Sequence, residues 1–459
     1  MQRFEKRADH CAKTIMDQRD VYVISHIDAD GLTSAAIICT ALERAGKEYS
    51  VEFVKQLDDA IINRIADLNP SVTVFTDLGS GMLDTINSQG INAVISDHHI
   101  PSGDCANHLN PHIFNINGAY EISGSGTTFL LAKAMGNNND LADLAVVGAV
   151  GDLQHVKQGQ LIGVNRQIVG LGKKKGIIHC QRDLMLFGKQ TRPVYKMLQY
   201  SSDPYLRGLT GNEDACINFL KKSGMHSQGE KWARWIDLDQ PNKRRIVSNL
   251  IRFCISDGLH TDKIQRLVGE VYTLLKEQEG TETRDASEYS TLLNATARYD
   301  QAQTGLAVCQ GDRETEYENA IHLLAQHRRN LVEGMNLVRE MGVTRLDNLQ
   351  YFDAGSAIKD TIVGIVAGMS MTAIGYRNLP IIAFADTREG VKVSGRGNYD
   401  LVRRGLNLAA AMDESARSMG GIGGGHDIAA GATIPGNARS EFIRMLDRII
   451  GKQLEVTAR

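Results

Sequence analysis

The chain has 459 residues, 42% hydrophobic and 23% charged, with a formal net charge of −3 at pH 7. As a prior, that length means two to four domains, each large enough for its own core, and the composition is that of an ordinary water-soluble globular protein. It excludes a protein coated in positive charge, though not one with a basic groove. With no run of about 18 apolar residues it predicts no membrane span.

The N-terminal stretch Met1–His10 is charged and lacks a following apolar segment, so no secretory signal is expected. The seven cysteines are scattered with no Cys-x-x-Cys pair, which predicts reduced thiols in the cytoplasm. From residue 1 to about 190, strand and helix signals alternate. Candidate strands are Val21–Ser25, Val51–Val54, Val72–Thr76, Ala93–Ser96 and Ile113–Ile116. Helical patterns lie between them at Leu32–Ala45 and Asp58–Leu68. The pattern predicts a mainly parallel sheet with helices on both faces. Ser123-Gly-Ser-Gly126 then opens an apolar helix to about Met135. A Gly-x-Gly before a helix can cradle phosphate, but a tight turn with a Ser or Thr cap is favoured. Residues 191–344 carry amphipathic helical periods at Ala215–Lys222, Lys243–Ser256, Lys263–Gln278 and Glu314–Met341, predicting a mainly helical middle region. Strands return at Leu349–Phe352, Pro380–Ala385 and Val391–Ser394. A helix over Asp400–Met412, a glycine-rich loop and a helix over Ser440–Gly451 complete a second, smaller α/β domain, residues 345–459.

The chemistry concentrates at strand ends. The first strand runs into His26, Asp28 and Asp30. The third runs into Asp77, the fourth into Asp97-His98-His99, and Asp152 follows an apolar helix. Any one aspartate there is more often a helix cap or turn residue. Together they place about five carboxylates and three imidazoles at one edge of one sheet, where ligands of open α/β sheets bind. Clustered carboxylates need counter-charge. Hard oxygens beside imidazole suit divalent cations, Mn²⁺ above all and also Mg²⁺.

The order His-x-Asp-x-Asp-Gly, Asp, Asp-His-His, Gly-Asp resembles the DHH phosphoesterase superfamily. Ser394-Gly-Arg396 and Gly420-Gly-Ile-Gly-Gly-Gly425-His426 to Gly431 resemble its DHHA1 partner domain. The segments Tyr200–Gly211 and Leu293–Arg298 are most similar to the archaeal RecJ-like branch. That branch also contains homologues of the eukaryotic replicative-helicase Cdc subunit. The resemblance implies a DHH metal-binding catalytic domain (1–190) and a substrate-binding DHHA1 domain (345–459). It implies a two-metal hydrolase in which Asp77 bridges the ions. His26 and Asp28 would join Asp77 at one metal, and Asp30, His98 and Asp152 at the other. Asp97 would orient a histidine. His99 would face the substrate as a phosphate contact or proton donor. Ser394, Arg396, Gly423, Gly424, Gly425 and His426 would form a phosphate-binding wall. The expected activity is single-strand exonuclease on DNA or RNA, in replication, repair or RNA turnover. Alternatives are a phosphodiesterase for short oligonucleotides or cyclic dinucleotides, and a scaffold in a replication complex with proteins such as GINS. Tyr200, Tyr205 and Arg207 read as base-stacking residues or as ordinary packing. Trp232 and Trp235 read as packing, and Lys173–Lys175 as a solvated turn.

Overall fold

Parallel strands buried on both faces should send alternate apolar residues to opposite cores, and the first sheet does so. The computed structural model describes all residues except 202, 203, 228–230, 260, 389 and 457–459, so Ser202 and Asp203 of the Tyr200–Gly211 segment lie outside the described residues. It divides into two units, Met1–Leu324 and Ala325–Arg459. In the first, β1 (Asp20–His26), β2 (Glu48–Val54), β3 (Thr73–Thr76), β4 (Ala93–Ser96) and β5 (His108–Leu109) form a parallel sheet in the order β2-β1-β3-β4-β5. Val21, Val23, Val74 and Val94 face the helices Gln2–Met16, Ala29–Arg44, Gly124–Met135 and Ala142–Gly151. Ile24, Phe75 and Ile95 face the opposite core, with Ile62, Ile65, Leu83 and Ile86 from two shorter helices.

Two expectations for this unit need correction. Ile113–Ile116 is not a strand. A 3₁₀ turn occupies Pro111–Phe114, with Pro111 leading it and the Asn110 side chain accepting from the His112 N–H. Proline brings a preset φ and no N–H, which suits a helical first position rather than a ladder. Lys263–Gln278 is not one helix. A short helix, Thr261–Gln265, gives way to β7 (Val268–Leu274), antiparallel to β6 (Ile178–Leu184). Val268, Val271 and Tyr272 are strand-forming residues, and their pairing partner lies far back in the chain, beyond the reach of local periodicity. The helices Val194–Gln199, Glu213–Lys222 and Gln240–Ser256 bury a separate core that includes Leu198, Leu220, Trp235 and Leu250. The helices Ala286–Arg298 and Ala302–Cys309 return to the main core through Tyr289, Leu292, Leu293 and Leu306.

The second unit is a six-stranded sheet of β8 (Thr344–Arg345), β9 (Gln350–Asp353), β10 (Ile381–Asp386), β11 (Val391–Arg396), β12 (Ile422–Gly425) and β13 (Ala429–Ile434), in the order β12-β13-β11-β10-β9-β8. The helix Asp360–Ala373 covers Phe352, Ile381, Ala383 and Ala385 on one face. Leu408–Ser418 and Arg439–Val456 cover Phe384, Val393, Ala430 and Ala432 on the other. The helix expected over Asp400–Met412 is two, Tyr399–Arg403 and Leu408–Ser418, broken at Gly405 (φ +101°) and restarted by an Asn407 cap. The glycine-rich segment is an edge strand rather than a loop. A Cβ at Gly423 would sit 2.5 Å from the Met412 carbonyl oxygen, so only glycine lets the strand close on its helix. Among the described residues no helix is long and apolar enough to cross a membrane. All seven cysteines are free thiols.

Candidate metal centre

The strand order reverses between β1 and β3, and ligands of such sheets bind at that switch point, beyond the strands' carboxyl ends. His26 ends β1. Asp28 caps the helix Ala29–Arg44, accepting from the Gly31 N–H at 3.0 Å, so the bland reading as a cap is also true of it. Asp30 lies in that helix's first turn and is buried. Asp77 follows β3 in the left-handed region, at φ +59°. Asp97 and His98 follow β4. Asp152 closes the helix Ala142–Gly151.

These side chains converge. The His26 Nδ1 lies 3.1 Å from an Asp28 oxygen and 3.5 Å from Asp77 Oδ2. The His98 Nε2 lies 3.3 Å from Asp77 Oδ1, 3.3 Å from Asp152 Oδ2 and 3.8 Å from Asp30 Oδ2. The two oxygens of Asp77 thus face different imidazoles. Its Oδ1 is buried without a hydrogen-bond partner. Two sets, His26–Asp28–Asp77 and Asp30–His98–Asp152, each bring ligand atoms within 4.8 Å of one another.

The surrounding backbone sets these orientations. The Gly124 and Ser125 N–H groups, at the start of the helix Gly124–Met135, donate to the two Asp30 oxygens at 2.6 and 3.0 Å. Ser123 caps the same helix by accepting from the Gly126 N–H. That helix start therefore binds a carboxylate of the cluster. The Gly118 carbonyl accepts from His98 Nδ1 at 2.7 Å and from Gln154 Nε2 at 2.9 Å, so the His98 proton sits on Nδ1 and Nε2 is presented to the carboxylates. Asp97 accepts from the Ser80 and His98 N–H groups and from His99 Nδ1 at 2.8 Å. It orients His99, whose side chain is 59% exposed. Close packing allows no side chain at two positions. A Cβ at Gly124 would sit 2.3 Å from Asp77 Oδ1, and one at Gly148 2.3 Å from Asp30 Oδ1.

The electrostatics show a cluster short of positive charge. Burial, then repulsion by Asp77, pushes the Asp30 carboxyl up to about 7. Burial and Asp30 push Asp152 well above the carboxylate range. Burial works to lower His26, but Asp28 and Asp77 outweigh it and raise the imidazole to about 11. The orphaned oxygen, the mutual repulsion of the buried carboxyls and a donor set of carboxylate and imidazole all fit divalent cations, so the cluster is able to bind metal.

In the second unit, Ser394 and Arg396 share one face of β11 against the helix Asp360–Ala373, where a Cβ at Gly364 would meet Arg396 Nη2 at 2.4 Å. Register places Ser394 opposite Gly431 and Gly431 opposite Gly424. Gly423 and Gly425 are required by packing, whereas the space above Gly424 is open. His426 is exposed, and its N–H closes the β12–β13 turn on Ala429. Sequence reasoning missed the Gly124 and Ser125 amides, the Gly118 carbonyl and Gln154. It also gave no role to Asn294, which accepts from the Ala29 N–H at 3.1 Å, or to Arg298, a part-buried guanidinium acted on by the Asp28 charge. The only signal for those two was their place in the segment Leu293–Arg298.

Three family models match the chain: the DHH family N-terminal domain over residues 20–149, the DHH-CID domain over 186–268 and the DHHA1 domain over 347–452. An uncharacterized protein of Methanocaldococcus jannaschii is 31% identical over 443 residues, covering 95% of this chain and 94% of that one. Among solved structures, RecJ in complex with Mn²⁺ from Thermus thermophilus matches 98% of this chain at TM-score 0.60 and 16% identity; the chain spans 55% of that protein. Exonuclease RecJ bound to manganese matches at TM-score 0.57 and 16% identity, over 98% of this chain and 94% of that one. CDC45 from Entamoeba histolytica matches at TM-score 0.68 and 12% identity, over 98% of each chain. At these identities the structural likeness is one of fold.

Proposed function

Because the chain belongs to the DHH/DHHA1, RecJ-like superfamily, we propose that it is a metal-dependent phosphodiester hydrolase, a single-strand exonuclease on DNA or RNA working in replication, repair or RNA turnover. The observation that carries this reading is the shared carboxylate of Asp77, one oxygen toward His26 and the other, buried and without a hydrogen-bond partner, toward His98. His26, Asp28 and Asp77 would hold one divalent ion, and Asp77, Asp30, His98 and Asp152 a second, with Mn²⁺ preferred and Mg²⁺ an alternative. Such a pair, when bound, activates water and neutralises phosphoryl charge. The chain's own residues do the rest. Asp97 fixes the His99 ring, and its hydrogen bond raises the imidazole's affinity for a proton that His99 would deliver to the leaving oxygen. Ser394, Arg396, Gly424 and His426 would contact substrate phosphate, Arg396 as a planar fork. Gly423 and Gly425 would place the strand that carries Gly424. Seven free thiols support a cytoplasmic setting.

The test is degradation of end-labelled DNA and RNA oligonucleotides with and without metal. EDTA should abolish hydrolysis and Mn²⁺ restore it. Asp77→Asn keeps a residue type that tolerates the left-handed backbone, so the fold should survive while kcat falls by orders of magnitude. Full activity in that variant would overturn the assignment. A second reading, a replication-complex component that binds proteins such as GINS, is supported by the CDC45-like fold. An intact chain that degrades neither DNA nor RNA would favour it.

A further inference from the structure

Within the region matched by the DHH-CID model, aromatic rings and cations form a chain of contacts. The Arg192 guanidinium lies 4.7 Å from the Phe187 ring centroid and 5.1 Å from that of Tyr200. The Lys196 ammonium lies 5.6 Å from the Tyr200 centroid and 5.2 Å from that of Tyr195. Tyr195 in turn sits 5.8 Å from Trp232, tilted against it. Tyr200 is 49% exposed, so part of its ring is open to solvent. We propose that Phe187, Arg192, Tyr200, Lys196, Tyr195 and Trp232 form a track on which a single nucleic-acid strand stacks its bases as it runs from the metal centre.

Local structure holds the cations in place. Gly188 turns the chain at φ +95°, where a Cβ would sit 2.7 Å from Arg192 Cδ, and its carbonyl accepts from the Arg192 N–H. Lys196 is pinned by Glu213 at 2.5 Å and Gln199 at 3.1 Å, so its charge stays beside the rings instead of sweeping through solvent. Fixed cations between aromatic faces match the chemistry of a single strand, whose bases stack without regard to sequence and whose phosphates seek cations.

One end of the track is anchored by buried polar groups. Lys189, two residues beyond Phe187, is buried, bonded to the Leu186 carbonyl at 3.1 Å and 3.4 Å from Asp285 Oδ2. Glu288 accepts from the Gln190 N–H at 2.8 Å and from the Thr191 hydroxyl at 2.6 Å. The buried imidazole of His155 feels the charges of both Lys189 and Asp285, and it follows the ligand Asp152 by three residues. Buried polar contacts therefore clamp the start of the track to the helix Ala286–Arg298 and its Asp285 cap.

The inference rests on the hydrolase reading for the strand's destination, but its test reads binding alone. Full-length protein would be titrated, in metal-free buffer, into fluorescein-labelled oligo(dT) of about 16 and of about 4 nucleotides, followed by anisotropy. Tyr200→Ala should weaken binding of the longer strand by roughly 5- to 150-fold and leave the shorter within about twofold. Tyr200→Trp should restore it, and Arg192→Ala should flatten the salt dependence for the longer strand by roughly 0.7 of a unit in log–log slope. Equal affinities in the variants, an equal loss at both lengths, or a parent chain that prefers a proline-rich peptide to any oligonucleotide would each overturn the track. A parent chain that shows the length-dependent loss yet hydrolyses nothing with Mn²⁺ would support the track and sink the hydrolase reading.

Discussion

Leu153 is the residue least suited to its backbone. The helix Ala142–Gly151 ends with the Gln154 N–H on the Ala149 carbonyl and the Leu153 N–H on that of Val150, a closure that puts Leu153 at φ +58°. Glycine is the usual occupant of that position. The other non-glycine residues described at positive φ are Asn69, Asp77, Asn115 and Asp300, all of types that tolerate it. Leu153 is also 65% exposed, so little packing compensates its strain. Leu153→Gly should therefore stabilise the protein, by about 1 kcal/mol once glycine's extra freedom in the unfolded chain is set against a left-handed cost of roughly 1–2 kcal/mol. Urea denaturation of the two proteins checks this, and a loss of stability would mean that the leucine packs more usefully than its exposure suggests. Strain of this kind collects at functional sites, and Leu153 adjoins Asp152.

At the scale of elements, the helix Gly124–Met135 determines the shape of the centre. Alanine is normally the better helix former by up to about 1 kcal/mol. Gly124→Ala should nevertheless be harmful, because its Cβ would sit 2.3 Å from Asp77 Oδ1 and must displace that carboxylate. We expect Mn²⁺ affinity to fall roughly 10- to 100-fold by calorimetry while far-UV circular dichroism is unchanged. Unaltered affinity would show that Asp77 is free to move without consequence. What the sequence revealed follows the same division. The strand ends bearing His26, Asp77 and His98 were legible because apolar runs stop abruptly at charged residues. The amides of Gly124 and Ser125 were not, because a main-chain donor leaves no mark in the identity of its residue. β7 and β12 were missed because each is defined by a partner strand or helix: Lys263–Gln278 also satisfied a helical period, and three glycines resembled a loop until Met412 packed against one of them.

In the first unit, Lys189, Gln190, Asp285 and Glu288 tie two stretches of chain together, and the buried His155 imidazole lies within reach of the Lys189 and Asp285 charges. Burial, then Lys189, lowers the His155 imidazole to about 4, against an ordinary value near 6.5. A depressed folded-state value means that His155 contributes stability above about pH 6.5, and that this contribution is lost as pH falls through about 4. At roughly 1.36 kcal/mol per unit, its share of the loss between pH 7 and 4.5 is roughly 2–3 kcal/mol. Glu288 works in the opposite sense, since burial and Asp285 raise it to about 7 and its penalty is relieved on acidification. Comparing wild type with His155→Gln by urea denaturation at pH 7 and 4.5 isolates the imidazole. The variant should lose less stability on acidification, and identical losses would show that His155 is protonated freely in the fold.

The grip of Gly124 and Ser125 on Asp30 also bears on how such a site ages. No point substitution except to proline removes a main-chain amide, so the bonds that orient Asp30 survive almost any drift at those two positions. Room is a different matter: positions 124 and 148 accept nothing larger than hydrogen while Asp77 and Asp30 stand where they do. In a lineage that abandoned the chemistry, the aspartates could persist for a time as inherited passengers. The first visible trace of the loss would be side chains appearing at 124 and 148.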